Sequence, residues 1–125
     1  MRKKTIACSG SSAASFADSH VESKSLGKCA TYVRRAIEWG GVSLGRTPSA
    51  TDMGLALQAA GFYEINGSPQ KGDVVVIQPA PGHTDGHVAI YDGQHWISDF
   101  KQLHGLYPGP SYRNSQPSYK IYRHD

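Results

Sequence analysis

The sequence predicts an α+β domain in which helices come first and an antiparallel β-sheet follows. Between Leu26 and Ile37 apolar residues recur every three or four positions, which is the spacing of an amphipathic helix. After Gly61 apolar and polar residues alternate instead, which is the spacing of half-buried strands. A chain of 125 residues has room for one hydrophobic core, so we expect a single domain.

Two helices are predicted in the first half of the chain. The first begins at Leu26 and ends at the glycine pair 40–41. The second begins near Ser49, where Asp52 three residues later completes a capping-box pattern, and it ends at Gly61. Residues 1–20 are rich in serine and alanine with little periodicity, and they are predicted to be a loose lead-in to a single domain that spans residues 21–125.

The second half is predicted to be a meander of short strands. The segments FYEI and DVVVIQ are strands, and HVAIYDGQHWISDF is a hairpin around the turn pair 92–93. A last strand is expected at residues 119–123. The segment PAPGHTDG and the Pro/Gly/Tyr-rich stretch before the last strand are predicted to be loops.

Composition argues against several classes of protein. The net charge of +3 comes from scattered basic residues, whereas nucleic-acid binding favours a dense basic stripe. No apolar run approaches the roughly 20 residues of a membrane span. The N-terminus is basic, but its apolar segment TIAC is too short for the core of a signal peptide, so no export signal is recognised. Two cysteines cannot form a disulfide framework.

Cys29 lies in the first turn of the first predicted helix. Unpaired backbone N–H groups and the helix dipole favour negative charge there, so this position can stabilise a thiolate. The residue could also be part of the core, a metal ligand, or half of a bridge to Cys8. Cys8 itself lies in a polar, aperiodic segment and is expected to be incidental.

A thiolate nucleophile needs a histidine and a group that orients it. His87 opens a predicted strand, and Asp99 lies nearly opposite it across the hairpin if paired residue numbers sum to about 186. Asp99 is therefore the predicted orienting group, in the manner of the third member of a catalytic triad. Asp85 competes for this role, but its loop position is poorer for holding an imidazole ring.

The segment HTDGH contains His83, Asp85 and His87, three side chains that can bind a metal. Two histidines four residues apart bind zinc best on a helix, and the surrounding prolines and glycines argue against a helix here. We therefore predict no metal site. His83 is placed near the mouth of the cleft, and His83, Asp85 and Tyr32 are the candidate substrate-binding residues.

Three motifs in this order resemble the papain-like peptidoglycan hydrolases, namely the CHAP domains and the related NlpC-type peptidases. GKCATYV resembles the cysteine box of these families, KGDVVVIQ their Gly-Asp strand, and GHVAIYDG their histidine strand. NlpC-type proteins usually have an aspartate before the cysteine and Ser-Gly after it. Here Lys28 precedes it and Ala30 and Thr31 follow, which favours the CHAP side or a divergent branch such as the small secreted antibacterial amidases.

This resemblance implies a papain-like fold with Cys29 as nucleophile, His87 as general base and Asp99 as the polar third residue. The implied activity is cleavage of an amide bond in peptidoglycan without a cofactor, either within the stem peptide or as an N-acetylmuramoyl-L-alanine amidase. Delivery to the periplasm or cell wall by a secretion apparatus such as the type VI system, or by phage lysis, would bring the enzyme to its substrate. A toxin would have a periplasmic immunity protein as partner. The alternative is a module that binds cell-wall peptides without cutting them.

Overall fold

The computed structural model describes residues 10–19, 29–44 and 49–125. Its helices are α1 (Gly10–Ser19), α2 (Cys29–Trp39), α3 (Met53–Ala59) and α4 (Pro110–Ser115), and a 3₁₀ turn (Ala50–Asp52) leads into α3. Its strands are β1 (Tyr63–Ile65), β2 (Val74–Ile77), β3 (His87–Tyr91), β4 (Trp96–Ile97), β5 (Lys101–Gln102) and β6 (Tyr119–Arg123). Within this part of the chain, no helix is both long enough and apolar enough to cross a bilayer.

The strands form one antiparallel sheet in the order β1-β6-β2-β3-β4-β5. The two central strands, β2 and β3, are buried on both faces, which explains why VVVI and HVAI are nearly continuous apolar runs. The central pairing brings Val76 opposite Val88 and Ile77 opposite His87. This register places His87 at the end of the ladder, where a side chain can leave the sheet.

Each face of the sheet has its own core. The helical face joins α1, α2 and α3 to alternate residues of the central strands, namely Val74, Val76, Val88 and Ile90. The opposite face contains Val75, Ile77, Ala89 and Trp96 from the strands, with Tyr112 of α4 packed on them. The site described below lies where the start of β3 meets both cores.

The predicted α+β fold is confirmed, with helices preceding an antiparallel sheet. Helices α2 and α3 and the strands β1, β2, β3, β4 and β6 fall in the segments that the pattern assigns to them. The proposed start of the first helix at Leu26 and the residue Cys8 both lie outside the described residues. The short strand β5 and helix α4 lie in a stretch that the sequence predicts to be a loop.

The prediction of a loose lead-in is wrong for residues 10–19, because they form helix α1. Small residues allow this helix to pack closely, and Ala13, Ala14 and Ala17 are buried. Phe16 stacks on Trp39 of α2 with ring centroids 5.2 Å apart. The serine and alanine content that resembles a flexible segment is therefore that of a helix packed against a neighbouring helix.

The hairpin of β3 and β4 is also confirmed, but its register differs by one residue from the prediction. Ile90 pairs with Ile97 and Tyr91 with Trp96, so paired numbers sum to 187. The ladder stops at Ile97, since the chain turns there to enter β5. Asp99 therefore lies in a turn and not on a strand facing His87.

Candidate active site

Cys29 is the first residue of α2 and packs, half-buried, against the core on the helical face of the sheet. Burial raises the pKa of its thiol, and the backbone hydrogen bond from Val88, which lowers the pKa, does not offset that rise. The Asp99 carboxylate raises the pKa further. The helix-start stabilisation predicted from the sequence is thus present but outweighed, and the resting residue is a neutral thiol.

The strand-opening position of His87 depends on the glycine before it. Gly86 has φ +74°, a left-handed conformation that side chains rarely adopt. A Cβ at this position would collide with the carbonyl oxygen of Ile77 and with the methyl group of Thr51. Asp85 is fixed beside it, because the N–H of Thr51 donates to the Asp85 carbonyl oxygen at 3.0 Å. The chain therefore enters β3 through a tight, fixed corner.

The imidazole of His87 is buried and hydrogen-bonded to Gln102. Nε2 of His87 lies 2.7 Å from Oε1 of Gln102, whose side chain is only 2% exposed. The amide nitrogen of Gln102 donates to the carbonyl oxygens of Gly105 and Leu106 at 3.1 and 2.9 Å. These two acceptors fix the amide so that its oxygen faces His87. Because that oxygen can only accept, Nε2 carries the hydrogen, and Nδ1 of the neutral ring is the nitrogen that can take a proton.

Burial is the main influence on the charge of His87. It lowers the pKa to about 4, although the hydrogen bond to Gln102 and the negative charge of Asp99 act in the opposite direction. The positive form of His83 adds a smaller lowering effect. At neutral pH the ring is uncharged, which is the state required of a general base.

Asp99 is fully buried, and Ser98 Oγ donates to it at 3.3 Å. Its negative charge raises the pKa of both Cys29 and His87, so it lies within electrostatic range of both. The partner of Nε2 of His87 is nevertheless Gln102 and not the predicted Asp99. Asp99 therefore lies within electrostatic range of the other two predicted catalytic residues, and Gln102 is a further polar residue at His87.

The three candidate substrate-binding residues differ in their exposure and surroundings. His83 is exposed and its ring packs 5.1 Å from that of Tyr112, while the charge of the exposed Asp85 raises the pKa of Tyr112. Tyr32 is half-buried on α2, three residues after Cys29 and therefore on the same side of the helix. Among residues 10–19, 29–44 and 49–125, no three histidine, cysteine or acidic side chains are grouped as a metal site.

Sequence reasoning missed Gln102 and Tyr112. Gln102 belongs to the two-residue strand β5, which is too short to produce an alternating pattern. Tyr112 lies on α4, a helix of six residues in a segment rich in proline, glycine and tyrosine. Its ring lies 5.9 Å from that of His87. No local pattern in the sequence marks either residue as part of the site.

Comparison with protein families identifies the family of this chain. The profile of the CHAP domain matches residues 19–99, which is more than half of the chain. The chain belongs to the CHAP domain family. The match includes Cys29, His87 and Asp99 and ends before Gln102 and Tyr112. Among proteins whose functions have been curated, none matches the chain.

Solved structures include close relatives of this CHAP domain. The chain is 67% identical to one in the crystal structure of the type VI native effector–immunity complex Tae3–Tai3 from Ralstonia pickettii, with a TM-score of 0.92 over 93% of this chain and 98% of that one. For the selenomethionine form of that complex the identity is 68%, with a TM-score of 0.89 over 90% and 99% of the two chains.

A more distant structure shares the fold alone. Ly7917, crystallised with the hydrolyzing product of MDP, is 20% identical to this chain, with a TM-score of 0.56. The alignment covers 90% of this chain and 62% of Ly7917.

Proposed function

We propose that this CHAP domain is a cysteine hydrolase that cleaves an amide bond in bacterial peptidoglycan, within the stem peptide or at the sugar–peptide junction. The observation that carries the proposal is the hydrogen bond between His87 and Gln102. It holds a neutral imidazole with Nδ1 as the basic nitrogen, and the Asp99 carboxylate lies within electrostatic range of both this ring and the Cys29 thiol. Family membership and the 67% identity to a type VI effector support the same conclusion.

The first half of the reaction forms a thioester. Because both partners rest uncharged, Nδ1 of His87 accepts the thiol proton as Sγ of Cys29 attacks the substrate carbonyl carbon. The carbonyl oxygen becomes an oxyanion, and the backbone N–H of Cys29 at the start of α2 contributes to its stabilisation. The tetrahedral intermediate collapses when the C–N bond breaks and His87 gives the proton to the leaving amine.

The second half hydrolyses the thioester. His87 accepts a proton from water, the resulting hydroxide adds to the thioester carbonyl, and Sγ leaves and takes the proton back. The buried carboxylate of Asp99 favours the imidazolium that forms in each half, because a nearby negative charge stabilises the charged ring. We propose that Gln102 orients the imidazole of His87 and that Asp99 stabilises its positive charge. No bound cofactor enters these steps.

The biological setting follows from the related complex. An effector of the type VI system that acts on peptidoglycan would be delivered to the periplasm of a target cell, where its substrate lies. The producing cell would then need an immunity protein, because its own wall contains the same bonds. We therefore propose a periplasmic immunity protein as the partner of this chain, with the cleft at Cys29 as its binding site.

Purified peptidoglycan sacculi provide the test of this function. The unmodified protein should release soluble fragments, and Cys29→Ala and His87→Ala should each lower the rate by several orders of magnitude, because no other group supplies the nucleophile or moves the proton. Cys8→Ala and His104→Ala are the matched controls and should retain activity, since Cys8 lies outside the predicted site and His104 is exposed. Full activity in Cys29→Ala would contradict the proposal.

Two further results would favour the alternative interpretations, a binding module or a metal site. Binding of sacculi without release of fragments by the unmodified protein would point to a binding module. Loss of activity on chelation, with recovery on adding zinc, would indicate that His83, Asp85 and His87 bind a metal ion. We expect activity to survive EDTA and to be lost on treatment with a thiol reagent.

A further inference from the structure

The segment from residue 107 to residue 117 matches no motif of the families that the sequence resembles, and it lies outside the residues matched by the CHAP profile. In the structure it contains helix α4, which packs on the face of the sheet opposite the other helices. Tyr112 is the buried residue of this helix and is only 2% exposed. A large side chain is thus directed from an additional element into the core beside the active site.

The ring of Tyr112 contacts the two histidines of the site. Its centroid lies 5.9 Å from that of His87, with an angle of 56° between the planes, and 5.1 Å from that of His83. Burial raises the pKa of its hydroxyl to about 12, with smaller contributions from Cys29 and Asp85, so the side chain is uncharged at neutral pH. What it presents to His87 is an uncharged aromatic surface.

The start of α4 is bonded to a neighbouring loop, and the residues that flank the helix are bonded to each other. Ser111 Oγ donates to the carbonyl oxygen of Pro81 at 2.6 Å, which ties the helix to the loop that leads to His83. The hydroxyl of Tyr107 donates to the carbonyl oxygen of Pro117 at 2.7 Å. These bonds hold the Tyr112 ring in a defined position, as a supporting residue of a catalytic centre requires.

We propose that Tyr112 is a positioning residue whose ring confines the imidazole of His87 against Gln102 and excludes water from it. The hydroxyl has no part in this role. The inference rests on the proposed function, since it assigns Tyr112 to the same site, and it adds a residue from outside the part of the chain that matches the family.

The groups around His87 explain why the ring of Tyr112 matters. Gln102 accepts from Nε2, the Asp99 carboxylate favours a charged imidazole, and His83 disfavours it. The Cys29 thiol lies against the backbone of Val88, the residue after His87. Among these influences burial is the largest, and the aromatic ring of Tyr112 contacts His87. Replacing it with a smaller side chain would admit water and ease protonation of the imidazole.

Titration of His87 by NMR tests the proposal without depending on catalysis. The measurement is made on Cys29→Ala protein, with and without a second change at Tyr112. Tyr112→Leu should raise the titration midpoint of His87 by about one pH unit or more, because water reaches the ring. Tyr112→Phe should leave the midpoint unchanged. Tyr63→Leu is the matched control, since Tyr63 lies on β1, three strands away from β3.

The same changes in the active protein give the second readout. Tyr112→Leu should lower kcat roughly tenfold or more. It should also raise the pH at which kcat/KM falls off on the acid side. Tyr112→Phe should leave kcat and this pH unchanged. An unshifted midpoint in Tyr112→Leu would overturn the proposal, and so would a Tyr112→Phe protein as impaired as Tyr112→Leu. If Tyr112→Leu does not fold, Ser111→Ala is the test variant, because it removes the bond that holds α4 to the loop before His83. We expect it to raise the titration midpoint of His87, and an unchanged midpoint would overturn the proposal.

The two proposals fail in different ways. Activity that survives Cys29→Ala contradicts the cysteine mechanism but leaves the titration of His87 as a valid test of Tyr112. An unchanged titration in Tyr112→Leu, with sacculi still cleaved through Cys29, contradicts the role of Tyr112 alone.

Discussion

His87 and Gln102 are joined by a buried hydrogen bond of 2.7 Å, although they lie on strands that do not pair with each other. Gln102 pairs with Trp96, which pairs in turn with Tyr91, so all three lie on the face of the sheet toward which His87 is directed. The amide of Gln102 is fixed by two backbone carbonyl groups. It therefore determines both the orientation of the imidazole and the nitrogen that serves as base.

Replacing Gln102 tests this relationship directly. Gln102→Leu keeps a side chain of similar size but removes the acceptor, so the ring of His87 can rotate and change tautomer. We expect kcat to fall about 10²-fold, because small misplacements of a catalytic group are costly. Gln94→Leu, at an exposed position of the hairpin turn, is the control and should keep its activity. Equal rates in the two variants would show that Gln102 does not orient the base.

The two carboxylates near the site should differ in importance. Asp99 is fully buried and acts on both His87 and Cys29, whereas Asp85 is exposed in a loop. Asp99→Asn should therefore lower kcat more than Asp85→Asn, and less than His87→Ala, because the base itself survives. Initial rates on sacculi rank the three variants. If Asp85→Asn is the more damaging of the two, the role assigned to Asp99 is wrong.

Long periodic segments made most of the fold predictable. The amphipathic spacing from Val33 to Ile37 belongs to α2, and the run VVVI belongs to a central strand that is buried on both faces. The order of the cysteine, Gly-Asp and histidine segments indicated the family, and in the structure Asp99 lies within electrostatic range of both Cys29 and His87. These features depend on residues that are close together in the sequence or on motifs in a fixed order.

The rest depends on contacts that no local pattern records. Gln102 reaches His87 across the sheet from a strand of two residues, and Tyr112 reaches it from a helix of six. Helix α1 was missed because closely packed helices need small side chains, and those same residues also suggest a flexible segment. The pKa of the Cys29 thiol depends on whether burial outweighs the stabilisation at the helix start. That could not be predicted from the sequence, because it depends on how other residues pack around the thiol.

The buried neutral His87 predicts a loss of stability in acid. Its pKa is about 4 in the folded protein and near 6.5 in the unfolded chain, so between these values only the unfolded chain binds the proton. The free energy of unfolding should therefore fall as the pH falls from 6.5 to 4, by an amount on the order of 3 kcal/mol from this residue. Urea unfolding at several pH values measures it.

A pair of histidine variants isolates that contribution. His87→Gln should show a shallower decrease in stability across this pH range than the unmodified protein, because it has no imidazole to protonate. His104→Gln, which removes an exposed histidine, should keep the full decrease. Identical pH dependence in all three proteins would show that His87 is not held in its neutral form by burial.

Two glycines with positive φ form a matched pair for testing the corner before His87. At Gly82 a Cβ meets no atom within 4 Å, so Gly82→Ala carries only the backbone cost of about 1–2 kcal/mol. At Gly86 the Cβ would also strike Ile77 and Thr51, so Gly86→Ala should cost about 1–3 kcal/mol more and should lower kcat. Denaturant unfolding and initial rates compare them. Equal destabilisation would contradict the tight corner.

Mass spectrometry of digested sacculi tests the central claim most directly, because the type of bond cut reports the chemistry. A thiol and an imidazole suit a carbonyl carbon that becomes tetrahedral, whereas glycosidic cleavage usually uses two carboxylates. Asp85 and Asp99 could serve as such a pair, but Cys29 would then have no role. We predict glycan strands of unchanged length with shortened or missing stem peptides, and no such products from Cys29→Ala. New reducing sugar ends without new free amines would contradict the account.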